Sequence, residues 1–279
     1  MRLVKIPPPG TFCHQEAIIE MVRKSGAKTF VEIGCGDGSL SRKLCQMGLK
    51  GFGVDFSAAA VALAKQEMAD YVRNGSYKLL QADIMDGSPL DEPVDLALSI
   101  MVMEHIEDER RFLRESIKMV KPGGHLIIAV PGRRDCWSFE DETVGHYRRY
   151  DRVDMQNALS ECGLTEKTTW SVGVPVVNLL AGVTNVLLKR SATEVNKMSL
   201  SKVEQTTTSG IREVPFKTVF PPVFKLILNR FTLYPLFVVQ RIFYQSNIGL
   251  ILMTLAQVPK VSSDLERAPK LAATAGRNQ

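Results

Sequence analysis

The sequence has few cysteines and no pattern that would tie them together. The 279-residue chain contains five, at positions 13, 35, 45, 136 and 162, and no CxxC pair occurs. An odd number of scattered cysteines argues against a disulfide framework and against a structural zinc site. We therefore expect a reduced, cytoplasmic protein in which these thiols are free.

The sequence also lacks a strong charge excess. Its 35 basic and 30 acidic residues give a formal net charge of +5, which is too small to favour nucleic acid as a partner. The N-terminal MRLVKIPPPG has no apolar core of signal-peptide length. Two uncharged stretches, 168–188 and 242–259, contain asparagine, glutamine or proline, and this polar content argues against a membrane span.

Short apolar runs alternate with helical periodicity through the first 170 residues. The pattern predicts strands at 30–34, 50–55, 77–81, 94–100, 125–130 and 164–170, with helices at 39–47, 58–72, 109–120 and 152–162. Such alternation is typical of a parallel sheet that is covered by helices on both faces. We assign residues 1–170 to this core.

The composition changes after residue 170. We predict a mostly helical insertion at 171–247, a last core strand within 248–259, and a flexible tail at 260–279. The insertion is rich in aromatic residues that are separated by lysine and arginine. Such a segment packs against the sheet or a second subunit, as in a homodimer, or it contacts a membrane surface or lipid-like substrate through 171–245.

Three glycines follow the first predicted strand in VEIGCGDGSL, residues 31–40. Gly34 permits a tight turn, and Gly36 lets a ligand approach the backbone closely. The dinucleotide fingerprint GxGxxG would need glycine where Ser39 stands, so the loop is GxGxG instead. Glu32 would repel a pyrophosphate but would attract an ammonium or a sulfonium group.

Two further acids follow the second and third strands. Asp55 stands where a carboxylate accepts hydrogen bonds from both ribose hydroxyls, and Asp83 can accept one from the amine of adenine, with Ile84 against the ring. Three carboxylates favour a cationic adenosine ligand over an anionic one. S-adenosylmethionine (SAM) fits this description, and S-adenosylhomocysteine (SAH) would be its product.

Six ordered stretches together resemble the class I SAM-dependent methyltransferases. They are VEIGCGDG, GFGVDFS, QADIMDG, DLALSIMVMEHIED, VKPGGHLIIAVPG and GHYRRYDRVDMQNALSECGL. The resemblance implies a Rossmann-like α/β fold whose seven-stranded sheet has the order 3-2-1-4-5-7-6, with the last strand antiparallel. It also implies a set of residues that line the cofactor: Glu32, Gly34, Cys35 (through its backbone), Gly36, Asp55, Phe56, Asp83, Ile84, Ser99 and Met101.

Two histidines are candidates for the general base that would assist transfer to a hydroxyl. His105 lies in MEHIED after the fourth strand, and His146 lies in GHYRRY after the fifth. GHYRRY resembles methyltransferases that modify sugars, lipids or secondary metabolites. Tyr147, Arg148 and Arg149 are the predicted substrate-binding residues, because guanidinium groups suit a phosphate or a carboxylate on the acceptor. In the alternative interpretation, the two arginines and the tyrosines tie this loop to aspartates in the following helix.

The pair Glu104 and His105 resembles the metal-binding pair of quinone O-methyltransferases. Met101 stands where that subgroup has another glutamate, so the pattern is incomplete, and we predict no metal.

The sequence therefore predicts a SAM-dependent methyltransferase that acts on a hydroxyl of a small molecule, such as a lipid-linked, glycan or secondary-metabolite acceptor. Three alternatives remain open: a methyltransferase of RNA or protein, a non-catalytic scaffold that retains the fold, and an NAD-linked oxidoreductase. A cytoplasmic location is expected, with peripheral attachment to the inner face of a membrane left open.

Overall fold

A seven-stranded mixed sheet forms the centre of the molecule in a computed structural model, which describes residues 4–6, 8–183, 186 and 219–260. In chain order the strands are β1 (Val4–Lys5), β2 (Thr29–Ile33), β3 (Lys50–Asp55), β4 (Tyr77–Gln81), β5 (Val94–Ile100), β6 (Val120–Pro131), β7 (Thr165–Val172), β8 (Val219–Phe220) and β9 (Ile251–Gln257). The sheet has the order β4-β3-β2-β5-β6-β9-β7, and β1 pairs with β8 separately. Strand β9 is antiparallel to both neighbours. The predicted order 3-2-1-4-5-7-6 is thereby confirmed.

Helices cover both faces of this sheet. They are α1 (Pro9–Ser25), α2 (Ser39–Gln46), α3 (Ala58–Glu67), α4 (Ala69–Arg73), α5 (Glu109–Lys118), α6 (Phe139–Val144), α7 (Arg152–Glu161), α8 (176–183) and α9 (Arg230–Ile242). Several begin at polar caps that the sequence supplies: the side chains of Ser57 and Asp108 accept backbone N–H bonds at the starts of α3 and α5. Among the described residues, no helix combines the length and the apolar character that crossing a membrane requires.

The strand order reverses at β2, and this reversal positions the candidate site. Strand β2 is parallel to β3 on one side and to β5 on the other. The register places Glu32 opposite Gly53 and Leu98, so the carboxyl ends of the three strands lie side by side. Open α/β sheets bind ligands in the crevice outside such a reversal.

The core lies in two layers, one on each face of the sheet. Along β5, Leu96 and Leu98 pack in one layer with Phe30, whereas Ala97 packs in the other with Val31. This alternation follows from the two-residue period of a strand. Because both layers are apolar, the central strands have no solvent-facing side.

Two predicted elements differ from those observed by more than two residues, and one observed pair of strands was not predicted. The single helix expected at 58–72 is interrupted at Met68, whose side chain is fully buried beside Gly38. Strand β6 begins at Val120 rather than residue 125, because Val120 pairs with Val94 ahead of an irregularity in the register. The short β1–β8 pair was not predicted. Residues 261–279 of the tail expected at 260–279, and part of the insertion, lie outside the described residues.

The described part of the insertion packs on the N-terminal helix. Arg230 and Arg241 of α9 pair with Glu16 and Glu20 of α1, at 2.9 and 3.2 Å. Gln240 is fully buried between them, where its amide donates to the carbonyl of Cys13 and accepts from the N–H of Gly173. The two helices and the turn after β7 are therefore held together by polar bonds at their centre.

Candidate active site

The glycine loop between β2 and α2 forms the floor of the candidate cofactor site. Gly34, Gly36 and Gly38 have φ angles of 69°, 55° and 78°, a region that favours glycine. A Cβ on Gly34 would lie 2.5 Å from a methyl group of Val102, whereas a Cβ on Gly36 would meet no atom within 4 Å. The first glycine therefore serves packing, and the second leaves open space above bare backbone.

Asp55 ends β3 and supports this loop. Its carboxylate accepts hydrogen bonds from the backbone N–H groups of Gly36 and Ser57, both at 2.9 Å. Burial raises the pKa of Asp55, although these two bonds oppose the change. The carboxylate is thus fixed at the carboxyl edge of the sheet, with lone pairs left over for a ligand.

Glu32 lies in a different environment from the other acids. Its carboxylate accepts a 2.5 Å hydrogen bond from the hydroxyl of Ser41 in α2, and Tyr77 donates to the same hydroxyl at 3.0 Å. Burial raises the pKa of Glu32 to about 8. The structure thus places this side chain in a buried network behind the loop, and its predicted contact with the cofactor stays a prediction. Cys35 is buried beside the same network.

The remaining predicted cofactor residues lie at neighbouring strand ends. Asp83 accepts from the N–H of Met85 and starts a short 3-10 helix, and Ile84 is buried there. Phe56 is 43% exposed, which is unusual for an aromatic ring and leaves a face free for a planar ligand. The hydroxyl of Ser99 is buried and has no hydrogen-bond partner. Met101 follows with a positive φ of 57°.

A second cluster lies where the segments after β5 and β6 meet. Glu104 is fully buried, and neither of its carboxylate oxygens has a hydrogen-bond partner. Nε2 of His146 lies 3.9 Å from Oε1 of Glu104, and the rings of His105 and His146 meet edge to face at 4.7 Å. One ligand atom from each of the three residues lies within 4.8 Å of the others. The two histidines that the sequence nominated are therefore brought together.

Burial sets the protonation states in this cluster. It raises the pKa of Glu104 to about 8, and it lowers that of His105 to about 4, with help from the neighbouring His146. A ring nitrogen of His105 hydrogen-bonds to the backbone of Gly145. At neutral pH, the site therefore presents an uncharged His105.

Asp141 is a residue of this cluster that the sequence analysis did not nominate. It is fully buried, and its Oδ1 lies 2.8 Å from Nδ1 of His146. Its carboxylate also accepts bonds from Arg149 at 2.9 and 3.0 Å. Burial alone would raise the pKa of Asp141, but the bonds from His146 and Arg149 lower it to about 2. An ionised Asp141 favours hydrogen on Nδ1 of His146 and fixes the orientation of the ring.

Backbone bonds hold the two segments of the cluster together. The N–H of Tyr147 donates to the carbonyl of Glu104 at 2.8 Å, and Tyr150 pairs through its backbone with Pro131 at the end of β6. Arg149 also reaches the carbonyl of Gly132. The loop GHYRRY is therefore tied to the ends of β5 and β6.

The two arginines of this loop are engaged within the protein. Arg149 pairs with Asp141, and Arg148 pairs with Glu109 at 3.0 Å and donates to the carbonyl of Glu107. These partners differ from the aspartates of α7 named in the alternative interpretation. The predicted anion-binding role of both arginines, and the substrate role of Tyr147, stay predictions.

Comparisons with known proteins agree with this geometry. The family model described as a methyltransferase domain matches residues 31–128. The mitochondrial ubiquinone biosynthesis O-methyltransferase of Schizosaccharomyces pombe is 34% identical over 107 residues, which is 38% of this chain and 39% of that protein. The ubiquinone biosynthesis O-methyltransferase of Pseudomonas fluorescens is 29% identical over 116 residues, 42% and 49% respectively. The chain thus spans less than half the length of these curated relatives.

Solved structures resemble the fold over most of the chain. The cyclase SpnF matches with a TM-score of 0.58 and 14% identity, over 90% of this chain and 82% of that one. Phosphoethanolamine N-methyltransferase 2 of Haemonchus contortus matches with a TM-score of 0.55 and 16% identity, over 88% and 53%. Residues 31–128 thus match the methyltransferase-domain model, and the sheet order is the one expected for class I SAM-dependent methyltransferases.

Proposed function

We propose that this protein transfers the methyl group of SAM to a hydroxyl of a small-molecule acceptor. The single observation that carries the proposal is the pairing of two sites at one sheet edge. A glycine and carboxylate cradle lies at the ends of β2 and β3, and a histidine cluster follows β5 and β6. The relatives named above as O-methyltransferases support oxygen as the methylated atom.

The cradle has the features that SAM requires. Open space lies above the bare backbone of Gly36, and Asp55 presents a fixed carboxylate beside it for the ribose hydroxyls. The exposed ring of Phe56 suits one face of adenine, and the unpartnered hydroxyl of Ser99 suits a polar group of the ligand. When bound, SAM supplies a methyl group on a positively charged sulfur.

The histidine cluster suits removal of the acceptor's proton. In the transfer, the hydroxyl oxygen forms a bond to the methyl carbon, the carbon–sulfur bond breaks with its electron pair on sulfur, and SAH leaves uncharged. The hydroxyl proton must go to a base, and we assign this role to His146, whose ring is oriented by Asp141 through Nδ1. His105, uncharged and in ring contact with His146, keeps a second positive charge out of the site.

A lipid-like acceptor is the finer proposal. The named relatives act in ubiquinone biosynthesis, and this chain presents large apolar side chains on α8, on α9 and on the 3-10 turn before α9. Leu179, Leu226, Phe231 and Ile242 are between 74% and 88% exposed. Exposed apolar side chains that form a contiguous patch mark an interaction site. It suits the hydrophobic tail of an acceptor at a membrane surface, and a cytoplasmic protein would then attach there peripherally.

Calorimetry with the purified full-length protein tests the function. We expect SAH to bind and NADH not to bind, because Ser39 stands where the dinucleotide-binding loop needs its third glycine. Binding of NADH alone would replace the proposal with an oxidoreductase, and binding of neither would leave a scaffold. If SAH binds, transfer of labelled methyl from SAM to a lipid extract, to RNA or to protein identifies the acceptor class.

Flotation with liposomes tests the lipid-like acceptor. We expect the wild-type protein to float with vesicles and a Phe231→Ser/Leu226→Ser variant to stay in solution. A Leu63→Ser variant is the matched control, because Leu63 is an exposed apolar residue on the separate helix α3. Failure of the wild-type protein to float would contradict membrane contact without affecting SAH binding.

A further inference from the structure

Met101 is held in a backbone conformation that favours glycine. Its φ of 57° lies in the left-handed region, and among the described residues Arg133 is the only other non-glycine residue with a positive φ. A residue with a Cβ is strained there, and such strain persists only where the surrounding structure imposes it. The N–H of Met101 donates to the carbonyl of Ala129 at 2.7 Å, so the pairing of β5 with β6 imposes this conformation.

Packing in the core does not offset this strain. Ile100, the residue before Met101, packs in one layer of the core, whereas Val102 and Met103 after it pack in the other layer. Met101 itself belongs to none of the apolar clusters that the described residues form, and its side chain stays partly exposed. The fold would therefore lose little without this side chain, and unrewarded strain of this kind is typical of functional sites.

Met101 lies between the two halves of the site. A methyl group of Val102, the next residue, lies 2.5 Å from the position that a Cβ on Gly34 would occupy, so this turn packs against the glycine loop. Two residues beyond Val102, Glu104 lies in the cluster with His146, with 3.9 Å between Oε1 and Nε2. Because the methyl group must pass from the cradle to the cluster, a side chain at position 101 lies beside its path.

We infer that Met101 is a specificity-determining residue for the acceptor, and that it selects a hydroxyl on an apolar framework over a hydroxyl of a sugar. This inference deepens the proposed function and rests on it. A thioether contacts carbon readily but is only a weak hydrogen-bond acceptor and never a donor. A sugar would bring further hydroxyl groups against this side chain and leave them without partners, which costs free energy for each group.

This role differs from lining the cofactor, where the sequence analysis placed Met101. The groups that face the cradle directly are the bare backbone of Gly36 and the carboxylate of Asp55, and both belong to other strand ends. Changes at Met101 should therefore alter acceptor binding and leave cofactor binding intact.

Methyl NMR of the full-length protein tests the inference with two probes that share one carbon ring. Cyclohexanol carries a single hydroxyl, whereas myo-inositol carries one on every ring carbon. The protein is labelled with [methyl-¹³C]methionine, and the signal of Met101 is the one that Met101→Leu lacks. We expect cyclohexanol to move this signal, with and without SAH, and inositol to leave it in place. A signal that cyclohexanol does not move, or that inositol moves at least as far, would overturn the inference.

Variants separate this role from packing. Saturation-transfer NMR on cyclohexanol should show binding weakened about fourfold in Met101→Gln and retained in Met101→Leu. Met101→Gly should unfold at the same urea concentration as the wild type or at a higher one, because strain is relieved and no core contact is lost. Arg133→Gly is the matched control, because Arg133 also has a positive φ but pairs with Asp135, and it should bind cyclohexanol as the wild type does. A lower unfolding midpoint in Met101→Gly would make Met101 a packing residue.

SAH affinity, measured by calorimetry on the same samples, separates this inference from the proposed function. In Met101→Gln it should stay within about twofold of the wild type. A larger fall in SAH affinity than in cyclohexanol affinity would return Met101 to the cofactor lining and overturn the inference alone. Absence of SAH binding in the wild-type protein contradicts the proposed function, and the titration without SAH still decides whether Met101 contacts an apolar ligand.

Discussion

The cofactor end and the acceptor end of the site are built in different ways. At the cofactor end, Gly36 lies in the loop after β2, and Asp55 is the last residue of β3. The Asp55 carboxylate accepts hydrogen bonds from the backbone N–H groups of Gly36 and Ser57. At the acceptor end, Glu104 and His146 are 42 positions apart in the sequence. The backbone N–H of Tyr147 donates to the carbonyl of Glu104, and the buried carboxylate of Asp141 contacts the ring of His146. Local motifs therefore define the first region, and long-range contacts define the second.

This difference means that the two ends can be disabled separately. The largest expected effect is at the acceptor end, where His146→Ala should lower turnover about 100- to 10,000-fold, because transfer to a hydroxyl loses its proton acceptor. Affinity for SAH should stay within about twofold of the wild type, as measured by calorimetry. His125→Ala is the matched control, because His125 lies in β6 and pairs with β9. Turnover of His146→Ala that matches this control would remove His146 from the reaction.

The next effect is at the cofactor end. Gly36→Val should weaken SAH binding at least about tenfold, because the new side chain fills the cradle and the backbone is strained at positive φ. Gly75→Val is the matched control, since Gly75 also has a positive φ and open space around it but lies before β4, away from the site. Equal losses of SAH binding in both variants would show that the effect is strain and not occupancy of the cradle.

A smaller effect concerns the pH dependence of stability. The pKa of Glu32 is raised to about 8 in the folded protein from an ordinary 4.5. The contribution of this residue to the free energy of unfolding is therefore fully present below about pH 4.5 and is lost as pH rises through 8. Urea unfolding should therefore show Glu32→Gln gaining stability relative to wild type between pH 5 and pH 8.5. Glu104 is present in both proteins, so its own titration cancels from the comparison.

The control for this prediction is Glu67→Gln, which alters an exposed glutamate that pairs with Arg42 on the surface. The difference in the free energy of unfolding between this variant and the wild type should change with pH by about 1 kcal/mol at most, which is what a surface ion pair contributes. If the difference in the free energy of unfolding between Glu32→Gln and the wild type did not change with pH, the raised pKa of Glu32 would be contradicted.

The fold was predictable because its signals are local. The strands that end at Asp55 and Gln81 were bounded correctly from short apolar runs, and the sheet order followed from the family resemblance. The interruption at Met68 was not predictable, since burial of that side chain depends on Gly38 from a separate segment. Likewise, the two-residue strands β1 and β8 are too short to leave a periodic signal.

The candidate site was predictable only in part. His105 and His146 stood out because histidine is rare in this chain, and the structure brings their rings together. Asp141 lies among three consecutive acids, Glu140, Asp141 and Glu142, and the three acids by themselves do not indicate which one is buried. Its serine cap at Ser138 was a usable signal, because a cap fixes which acid faces back towards the helix start.

The amide of Gln240 has a consequence for how two segments of the chain can move. Because this one side chain bonds to Cys13 in α1 and to Gly173 after β7, neither segment can move outward alone. Substituting leucine there would leave a buried carbonyl and a buried N–H unsatisfied at the same time. A single change would therefore loosen both segments.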